Sequence, residues 1–331
     1  MLTIKFAIIY FFLSSAIIFL SNYLRYFDKP SKRGIHKTPT INTGGLIIYF
    51  FFLSVISQGE FNHNIELIVS IGFFVCISGF IDDRINLNPS SKIILLIIPS
   101  IYLIMNGISI SDLGQYEYLG NLELGKFKIP FLLLAIGLLI NATNYIDGID
   151  GLLLTFFLSC LIYYIFLIDD AETKNLLKFF ILGGLFNLIL NLLPSKNKFK
   201  VFSGDSGSLF IGFFISFMTI ELYNNFNIHP AILIWPLWYP VYDFLFVSIN
   251  RLMKKKSIFT PDNTHLHHTI NRKFNGNKLS PLILFLIVNS LIISLGYKIG
   301  EISKLLSFSV FILGFIIYFI LRLSEFKKLK N

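Results

Sequence analysis

Residues 65–83 read IELIVSIGFFVCISGFIDD. From Ile65 to Ile81 the run is almost purely apolar, and at about 1.5 Å per helical residue it is long enough to cross the hydrocarbon core of a bilayer. Two neighbouring carboxylates, Asp82 and Asp83, then close the run. The run predicts a membrane span, and the paired acids at its end need a separate explanation.

The composition of the whole chain indicates a membrane protein. Of its 331 residues, 54% are hydrophobic and 14% are charged, and the mean hydropathy is +0.70, outside the usual range of soluble domains. We predict an all-α polytopic membrane protein that forms a single integral membrane domain over residues 1–331, with about eleven transmembrane helices. The candidate spans are 4–24, 44–57, 65–81, 91–106, 129–142, 151–168, 177–194, 205–222, 231–250, 281–297 and 304–323.

Lysine and arginine are distributed unevenly between the predicted loops. Of 28 such residues, 21 lie in the segments 25–43, 82–92, 195–204, 251–280 and 322–331, which all fall on one side. The positive-inside rule then puts the N-terminus outside and the C-terminus in the cytoplasm of a multi-pass protein of the inner (plasma) membrane. Topology and attraction to anionic lipids explain the net charge of +9, so no nucleic-acid partner is needed.

The one longer outer loop, 107–128, contains QYEYLGNLELGKF (115–127). Apolar and polar residues alternate here around Gly120-Asn121, which predicts a small β-hairpin at the membrane surface. We expect it to serve as a structural lid.

Acids, histidines and glycines collect on the inner side. Five inner segments carry them: 28–45, 82–92, 141–152, 200–212 and 259–268. The outer loops are mostly short and unpatterned. Any chemistry is therefore expected at the cytoplasmic face.

The carboxylates of Asp82 and Asp83 repel each other unless a cation lies beside them. An isolated pair of this kind would more often cap a helix end. Asp205, however, adds an acid within SGDSGS (203–208) at the start of a predicted span, where small residues and a helix N-terminus favour an anion. Oxygen-only ligands suit Mg²⁺. We predict Asp82 and Asp205 as metal ligands, with Mn²⁺ as an alternative ion.

Two further acids lie in NYIDGIDGL (144–152). Asp147 and Asp150 are three residues apart, so they would share a face of a helical turn, and the glycines between them allow close backbone contact with a ligand. Asn141 and Asn144 flank them. Acids and amides at a membrane interface are functional candidates by default.

His265, His267 and His268 form the motif HLHH. With Asp262 at i, His265 at i+3 and His268 at i+6, a zinc site of two histidines and one carboxylate is an alternative. No cysteine or HExxH motif supports it. Histidines among several lysines and arginines more often donate hydrogen bonds to phosphate oxygens.

Lys37 and Lys92 each stand just before a predicted span. Lysines in this position are usually anchors whose ammonium groups reach the membrane surface. In a site rich in acids and phosphates they would also neutralise substrate charge.

In this order and on one side of the membrane, the five segments resemble the polyprenyl-phosphate N-acetylhexosamine-1-phosphate transferase family (glycosyltransferase family 4). The resemblance implies transfer of a sugar-1-phosphate from a UDP-N-acetylhexosamine onto a polyprenyl phosphate lipid at the cytoplasmic face, with release of UMP and a requirement for Mg²⁺. Because the family includes dimers, a homodimer is a further expectation.

The resemblance also implies roles for individual residues. Asp82 and Asp83 match the acidic pair of the family, one of them as a base or orienting group for the lipid phosphate. Asp205 matches the Mg²⁺-ligating aspartate, and Phe202 in VFSGD resembles the aromatic residue near the uracil. We expect catalytic roles for Asp82, Asp83, Asp147 and Asp150, and substrate binding by Lys37, Lys92, Asn144, Phe202, His265, His267 and His268.

The histidine motif indicates a subgroup. The enzymes that use UDP-MurNAc-pentapeptide for the peptidoglycan precursor typically carry PIHHHFE, whereas this chain has PDNTHLHH (261–268). It thus resembles the subgroup that starts O-antigen, enterobacterial common antigen or teichoic acid chains from UDP-GlcNAc. The sequence leaves open which aspartate of the pair binds metal, and whether attack is direct or passes through an aspartyl intermediate.

A secondary transporter is the alternative from a different class, because polar helix ends beside short, glycine-interrupted spans also occur in transporters. Transporters tend to place ionisable residues near the bilayer midplane. Here only Asp243 lies within an apolar run, and it is close to the inner end. The sequence therefore favours the enzyme.

Overall fold

In a computed structural model of the chain, which describes residues 2–28, 38–59, 61–257, 264–274, 277 and 279–328, each predicted span coincides with helical structure. The helices are α1 (Leu2–Tyr23), α2 (Gly44–Ile56), α3 (His63–Ile85), α4 (Pro89–Met105), α5 (Lys128–Ile146), α6 (Leu152–Leu167), α7 (Ala171–Leu192), α8 (Gly204–Phe226), α9 (Pro230–Leu233), α10 (Trp238–Met253), α11 (Leu266–Lys273), α12 (Leu279–Ile302) and α13 (Lys304–Lys328). The strands are β1 (Phe27–Asp28), β2 (Thr40–Ile41), β3 (Asp112–Tyr116) and β4 (Gly120–Glu123).

The predicted fold class is confirmed. Within the described residues, 8 helical segments are long and apolar enough to cross a membrane. Three shorter apolar helices, Gly44–Ile56, Ser90–Met105 and Leu152–Leu167, accompany them. The number of eleven spans stays a prediction, because helices of this shorter length cross a bilayer only if flanking residues or local thinning make up the difference.

The ninth predicted span is not one continuous helix. It consists of α9, a 3₁₀ turn at Trp235–Leu237, and α10. Pro236 lies inside the 3₁₀ turn, and a proline ring cannot continue the hydrogen-bond ladder of an α-helix. Helix α12 packs closely against this break. Its Gly296 lies so near Trp235 that a Cβ there would be 1.9 Å from the indole ring.

Helix α8 lies at the centre of the bundle and packs against α2, α3 and α5. Its Phe210 and Phe214 are completely buried. Rings from other helices extend this aromatic core, for example Phe52 and Phe180, whose ring centroids are 3.9 Å apart. Since lipid tails are as apolar as phenylalanine, such a core is stabilised in a membrane by close packing rather than by escape from water.

Glycines let α2 and α3 approach α8 at backbone distance. A Cβ at Gly45 of α2 would lie 2.1 Å from the backbone nitrogen of Gly207. A Cβ at Gly79 of α3 would lie 2.4 Å from the backbone carbonyl carbon of Asp205. No side chain fits at either position, so these helices meet backbone to backbone.

The two ends of the bundle differ. At the end that we call the site end, α3 finishes and α4 and α8 begin; at the opposite end, the hairpin end, α8 finishes and α13 begins. At the site end β1 pairs antiparallel with β2, and Ile41 of β2 forms a parallel bridge with Val201. The N–H of Phe202 donates to the carbonyl oxygen of Ile41 at 2.8 Å. These contacts hold the chain before α2 against the chain before α8.

At the hairpin end, β3 and β4 form the antiparallel hairpin that the sequence predicts. Its turn lies at residues 117–119, because Tyr116 pairs with Gly120, and the predicted turn at Gly120-Asn121 is therefore wrong. Three-residue hairpin connections are common, and the glycine-asparagine pair belongs to β4 instead.

The hairpin is fixed to the helix ends around it. The carboxylate of Glu117 accepts the backbone N–H groups of Lys304 and Leu305 at 3.0 and 2.9 Å, which satisfies two donors at the start of α13. The hydroxyl of Tyr223 donates to the carboxylate of Asp112. These bonds fix the hairpin to α8 and α13, and its role as a structural lid stays a prediction.

We predict that Gly79→Ala separates α3 from the first turn of α8. The added methyl group meets the backbone of Asp205, and overpacking of this kind costs about 1–3 kcal/mol. Thermal unfolding in detergent micelles should show a lower midpoint. Gly137→Ala in α5 is the matched control, since a Cβ there meets nothing within 4 Å and alanine favours the helix. Equal midpoints for both variants would contradict the prediction.

Candidate active site

Asp82 and Asp83 lie in the last turn of α3, at the negative end of the helix dipole. Carboxylates are disfavoured there, so helix stability does not explain the pair. The Asp82 side chain is buried, and its Oδ1 accepts the backbone N–H of Leu87 at 2.7 Å. This bond turns the chain back toward α4.

Lys92 provides a cation for this end of α3. It lies in the first turn of α4, and its Nζ donates to Oδ2 of Asp82 at 2.6 Å and to Oδ2 of Asp205 at 2.9 Å. Asp205 belongs to the first turn of α8, where the positive end of the helix dipole favours an acid. One ammonium group therefore joins carboxylates from two helices.

Asp83 approaches the same end of α8. Its Oδ1 and Oδ2 accept the backbone N–H of Asp205 at 3.1 and 3.0 Å. Gly204 lies beside this contact with φ at +68°, and a Cβ there would be 2.7 Å from Oδ2 of Asp83 and from Oδ1 of Asn42. Only glycine satisfies both the conformation and the space at this position.

Helix α5 brings an amide and a further acid to this cluster. Nδ2 of Asn144 donates to Oδ1 of Asp205 at 2.7 Å. Asp147 follows directly after α5, and although part of its surface is accessible, burial raises the pKa of its carboxyl well above the usual range. The charges of Asp205, Asp83 and Asp150 raise that pKa further. A further cation would relieve this repulsion.

Asp150 lies in a different electrostatic setting. Its Oδ2 accepts from Nζ of Lys200 at 2.8 Å, and the Lys200 side chain is only 1% exposed. The same ammonium donates to the carbonyl oxygens of Asn191 and Leu193 at 2.5 and 3.0 Å. It also lies 5.3 Å from the ring centroid of Phe202, a cation–π distance. Lys200 thus ties the turn after α5 to the chain that leads into α8.

The three histidines lie beside the turn after α5. The rings of His267 and His268 are 4.2 Å apart, and those of His265 and His267 are 5.5 Å apart. A Cβ at Gly148 would lie 2.4 Å from Nε2 of His267, so this ring packs against the turn. Burial lowers the pKa of His267 well below its ordinary value, as does the nearby His268, which favours the neutral ring at neutral pH.

The donor groups fit one type of metal ion better than another. Within the described residues, no group of three or more His, Cys, Asp or Glu side chains is arranged to hold a metal ion. Asp82 and Asp205 nevertheless each direct one oxygen at a single cationic centre, Nζ of Lys92. Two carboxylates completed by substrate phosphates are typical of Mg²⁺, whereas a structural zinc ion needs a closed set of four ligands.

The predicted site residues therefore fall into three groups. Asp82, Asp83, Lys92, Asn144 and Asp205 are joined by direct hydrogen bonds, with Asp147 beside them. Asp150 and Phe202 share Lys200. The three histidine rings lie together, and His267 packs on the turn after α5. Lys37, and Asp262 of the zinc alternative, lie outside the described residues.

Asp243 and Lys200 contact these groups but were not predicted as site residues. Asp243 binds His265, with 2.7 Å between Oδ2 and Nδ1, and its sequence signal was an acid inside an apolar run. Lys200 gave no signal, because the sequence does not distinguish it from Lys196 and Lys198 in the same loop.

Fold and site together define a polytopic membrane protein with a carboxylate-rich, histidine-lined site at one end of its helix bundle. The model of the family described as glycosyl transferase family 4 matches residues 65–223. This segment contains Asp82, Asp83, Asn144 and Asp205. The predicted resemblance to this family is thereby confirmed.

Similarity to curated relatives extends over most of the chain. A probable undecaprenyl-phosphate N-acetylglucosaminyl 1-phosphate transferase of Bacillus subtilis (strain 168) is 28% identical over 311 residues, which cover 92% of this chain and 85% of the relative. The undecaprenyl-phosphate alpha-N-acetylglucosaminyl 1-phosphate transferase of Yersinia pestis is 28% identical, with 96% and 91% covered. That of Escherichia coli (strain K12) is 29% identical, with 89% and 82% covered.

We predict that Lys200→Met destabilises the protein by about 3–5 kcal/mol, because it removes the buried ammonium group that donates to Asp150 and to the carbonyl oxygens of Asn191 and Leu193. A lower thermal unfolding midpoint in detergent micelles is the expected result. Lys198→Met serves as the control, since Lys198 is exposed and its removal should leave the midpoint near that of the unchanged protein. A Lys200→Met midpoint equal to that of the control would contradict the prediction.

Proposed function

We propose that this protein transfers N-acetylglucosamine-1-phosphate from UDP-GlcNAc to undecaprenyl phosphate and releases UMP. The observation that carries the proposal is the hydrogen-bonded junction of Asp82, Lys92, Asn144 and Asp205, which unites helix ends far apart in sequence. The names of the relatives support the acceptor and the sugar. With this chemistry, the lipid-linked product would begin a cell-envelope polysaccharide such as an O-antigen.

The same proposal assigns an orientation. The site end would face the cytoplasm, where nucleotide sugars are made, and the N-terminus would lie outside. The excess of lysine and arginine in the loops of the site end supports this orientation.

Charge explains why the site needs both acids and cations. The acceptor phosphate and the donor pyrophosphate are anions that repel each other. In direct attack, an oxygen of the lipid phosphate forms a bond to the phosphorus that bears the sugar, and the bond from that phosphorus to the bridging oxygen of UMP breaks. Catalysis of such a transfer consists mainly of positioning and charge stabilisation.

We assign the metal to Asp82 and Asp205 because their carboxylates already share one cationic partner. Bound Mg²⁺ would neutralise phosphate charge during the transfer. Lys92 would then be free to contact a phosphate oxygen. Asp83, held by the backbone of α8, would orient the acceptor phosphate. The cluster of His265, His267 and His268, beside the turn after α5, would contact the donor phosphates.

The test is release of UMP by purified protein in detergent, given undecaprenyl phosphate, Mg²⁺ and a panel of donors that includes UDP-GlcNAc and UDP-MurNAc-pentapeptide. We expect metal-dependent release with UDP-GlcNAc, abolished by EDTA and restored by Mg²⁺ or Mn²⁺. Release of UMP only with another donor would support the transfer reaction and assign a different sugar. No release with any donor from folded protein, together with solute uptake by proteoliposomes, would replace the enzyme by a transporter.

Asp82→Asn should lower kcat by at least about 100-fold, since charge stabilisation by a bound metal amounts to several kcal/mol. Asp170→Asn is the matched control: Asp170 caps α7 at the hairpin end by accepting the N–H of Thr173 at 2.7 Å, and asparagine caps equally well. Thermal unfolding of both variants checks that the fold is retained. An active Asp82→Asn variant would overturn this assignment.

Incubation with the donor alone separates two reaction courses. Direct attack predicts no UMP without undecaprenyl phosphate. A burst of UMP equal to the enzyme concentration would instead indicate a covalent aspartyl intermediate.

A further inference from the structure

Asp243 is a buried acid inside a membrane helix, and both of its oxygens are engaged. It is 1% exposed. Oδ2 lies 2.7 Å from Nδ1 of His265, while Oδ1 accepts the backbone N–H of Leu266 at 2.9 Å and the hydroxyl of Tyr318 at 2.8 Å. An acid in this position is costly unless it has a function or a full set of partners, and here it has the full set.

The contact with Asp243 fixes one nitrogen of His265. An ionised carboxylate only accepts hydrogen bonds, so Nδ1 of His265 is the donor. In the neutral tautomer that this contact selects, the proton is on Nδ1, and Nε2 has a lone pair for a ligand or a proton. The His265 ring also packs against the ring of Tyr145, with 5.1 Å between the two centroids. Tautomer and orientation are thus both set by neighbours.

The last helix supports the same segment. Besides the Tyr318 hydroxyl, α13 supplies Arg322, whose Nη2 donates to the carbonyl oxygen of Thr264 at 2.6 Å. Apart from Ser307 and Arg322, the described side chains of α13 are half-buried or exposed. Two contacts of its second half hold the backbone on both sides of His265: Arg322 binds Thr264, and Tyr318 binds Asp243, which accepts the N–H of Leu266.

We propose that Asp243 is a positioning residue that sets the orientation and tautomer of His265, and that Tyr318 and Arg322 of α13 complete this support. The proposal rests on the proposed transfer reaction, in which the histidine cluster contacts the phosphates. Asp243 itself reaches the substrate only through His265.

A purely structural role would have different consequences. If Asp243 only anchored α10 to α11 and α13, its loss and the loss of the His265 imidazole would act independently on turnover. If it acts through His265, the two losses are not additive, because an imidazole that is absent cannot be oriented.

The experiment is a double-mutant cycle of Asp243→Asn and His265→Gln, measured with the donor that the unchanged protein uses. Partners that orient a histidine typically contribute roughly 10- to 100-fold, so we expect Asp243→Asn to lower kcat by about that factor, with the KM of the donor changed less than about threefold. In the His265→Gln background the same substitution should change kcat less than about twofold. If the double variant instead loses kcat by the product of the two separate factors, the proposal is overturned.

Glu221→Gln is the matched control for replacing a buried carboxylate by an amide. Glu221 is fully buried at the hairpin end and accepts from Asn64 at 2.9 Å and Asn225 at 2.5 Å. Turnover should remain near that of the unchanged protein. If Asp243→Asn does not fold, Tyr318→Phe enters the cycle in its place, because it removes one hydrogen bond to Asp243 and leaves the pair with His265. The same criterion of additivity then applies.

A measurement without turnover separates this proposal from the proposed reaction. With ¹⁵N-labelled histidine, NMR should report His265 as the Nδ1–H tautomer in the unchanged protein and in Tyr318→Phe, which keeps the pair with Asp243, and a different tautomer mixture in Asp243→Asn. A His265 signal that is unchanged in Asp243→Asn would overturn the positioning role even if transfer occurs. A changed signal would support that role even if every UDP-sugar failed as a donor.

Discussion

The site depends on the close approach of α3 and α8 at Gly79. The backbone of Asp205 fills the space in which a side chain at position 79 would lie, so the negative end of one helix meets the positive end of another. Asp83 closes this junction by accepting the N–H of Asp205. The carboxylate of Asp83, which would weaken an isolated α3, thereby becomes an acceptor for an otherwise unsatisfied helix N-terminus. The glycine contact, the acid pair and the start of α8 form one unit.

The fold was predictable where it depends on local properties of the sequence. Apolar run length identifies a membrane helix without knowledge of its neighbours, and alternation identified the hairpin. The break at Pro236 was less visible, because its ends are stabilised by distant packing, such as that of Trp235 on Gly296. The turn of the hairpin was misplaced for a similar reason: the strand register depends on contacts with Tyr223 and with the start of α13.

The candidate site was predictable as a set of residues but not as a set of pairs. Charges are rare in this chain, so acids and amides at one membrane interface stand out whatever their partners are. The sequence does not tell which lysine each acid meets. Lys92 joins Asp82 to Asp205, whereas Lys200 is buried against Asp150. This division follows from the turn after α5 and from the chain entering α8, which only the folded structure brings together.

The site thus combines two units with different support. The carboxylate unit lies within residues 65–223, the segment that matches the transferase family, and is held by helix ends and glycines. The histidine unit lies beyond that segment and is held by α10 and α13. The two units touch where His267 packs on Gly148, in the turn that also carries Asp147 and Asp150. Because His267 leaves no space for a side chain at Gly148, the position of the histidine unit and the path of the turn that carries the two acids depend on each other.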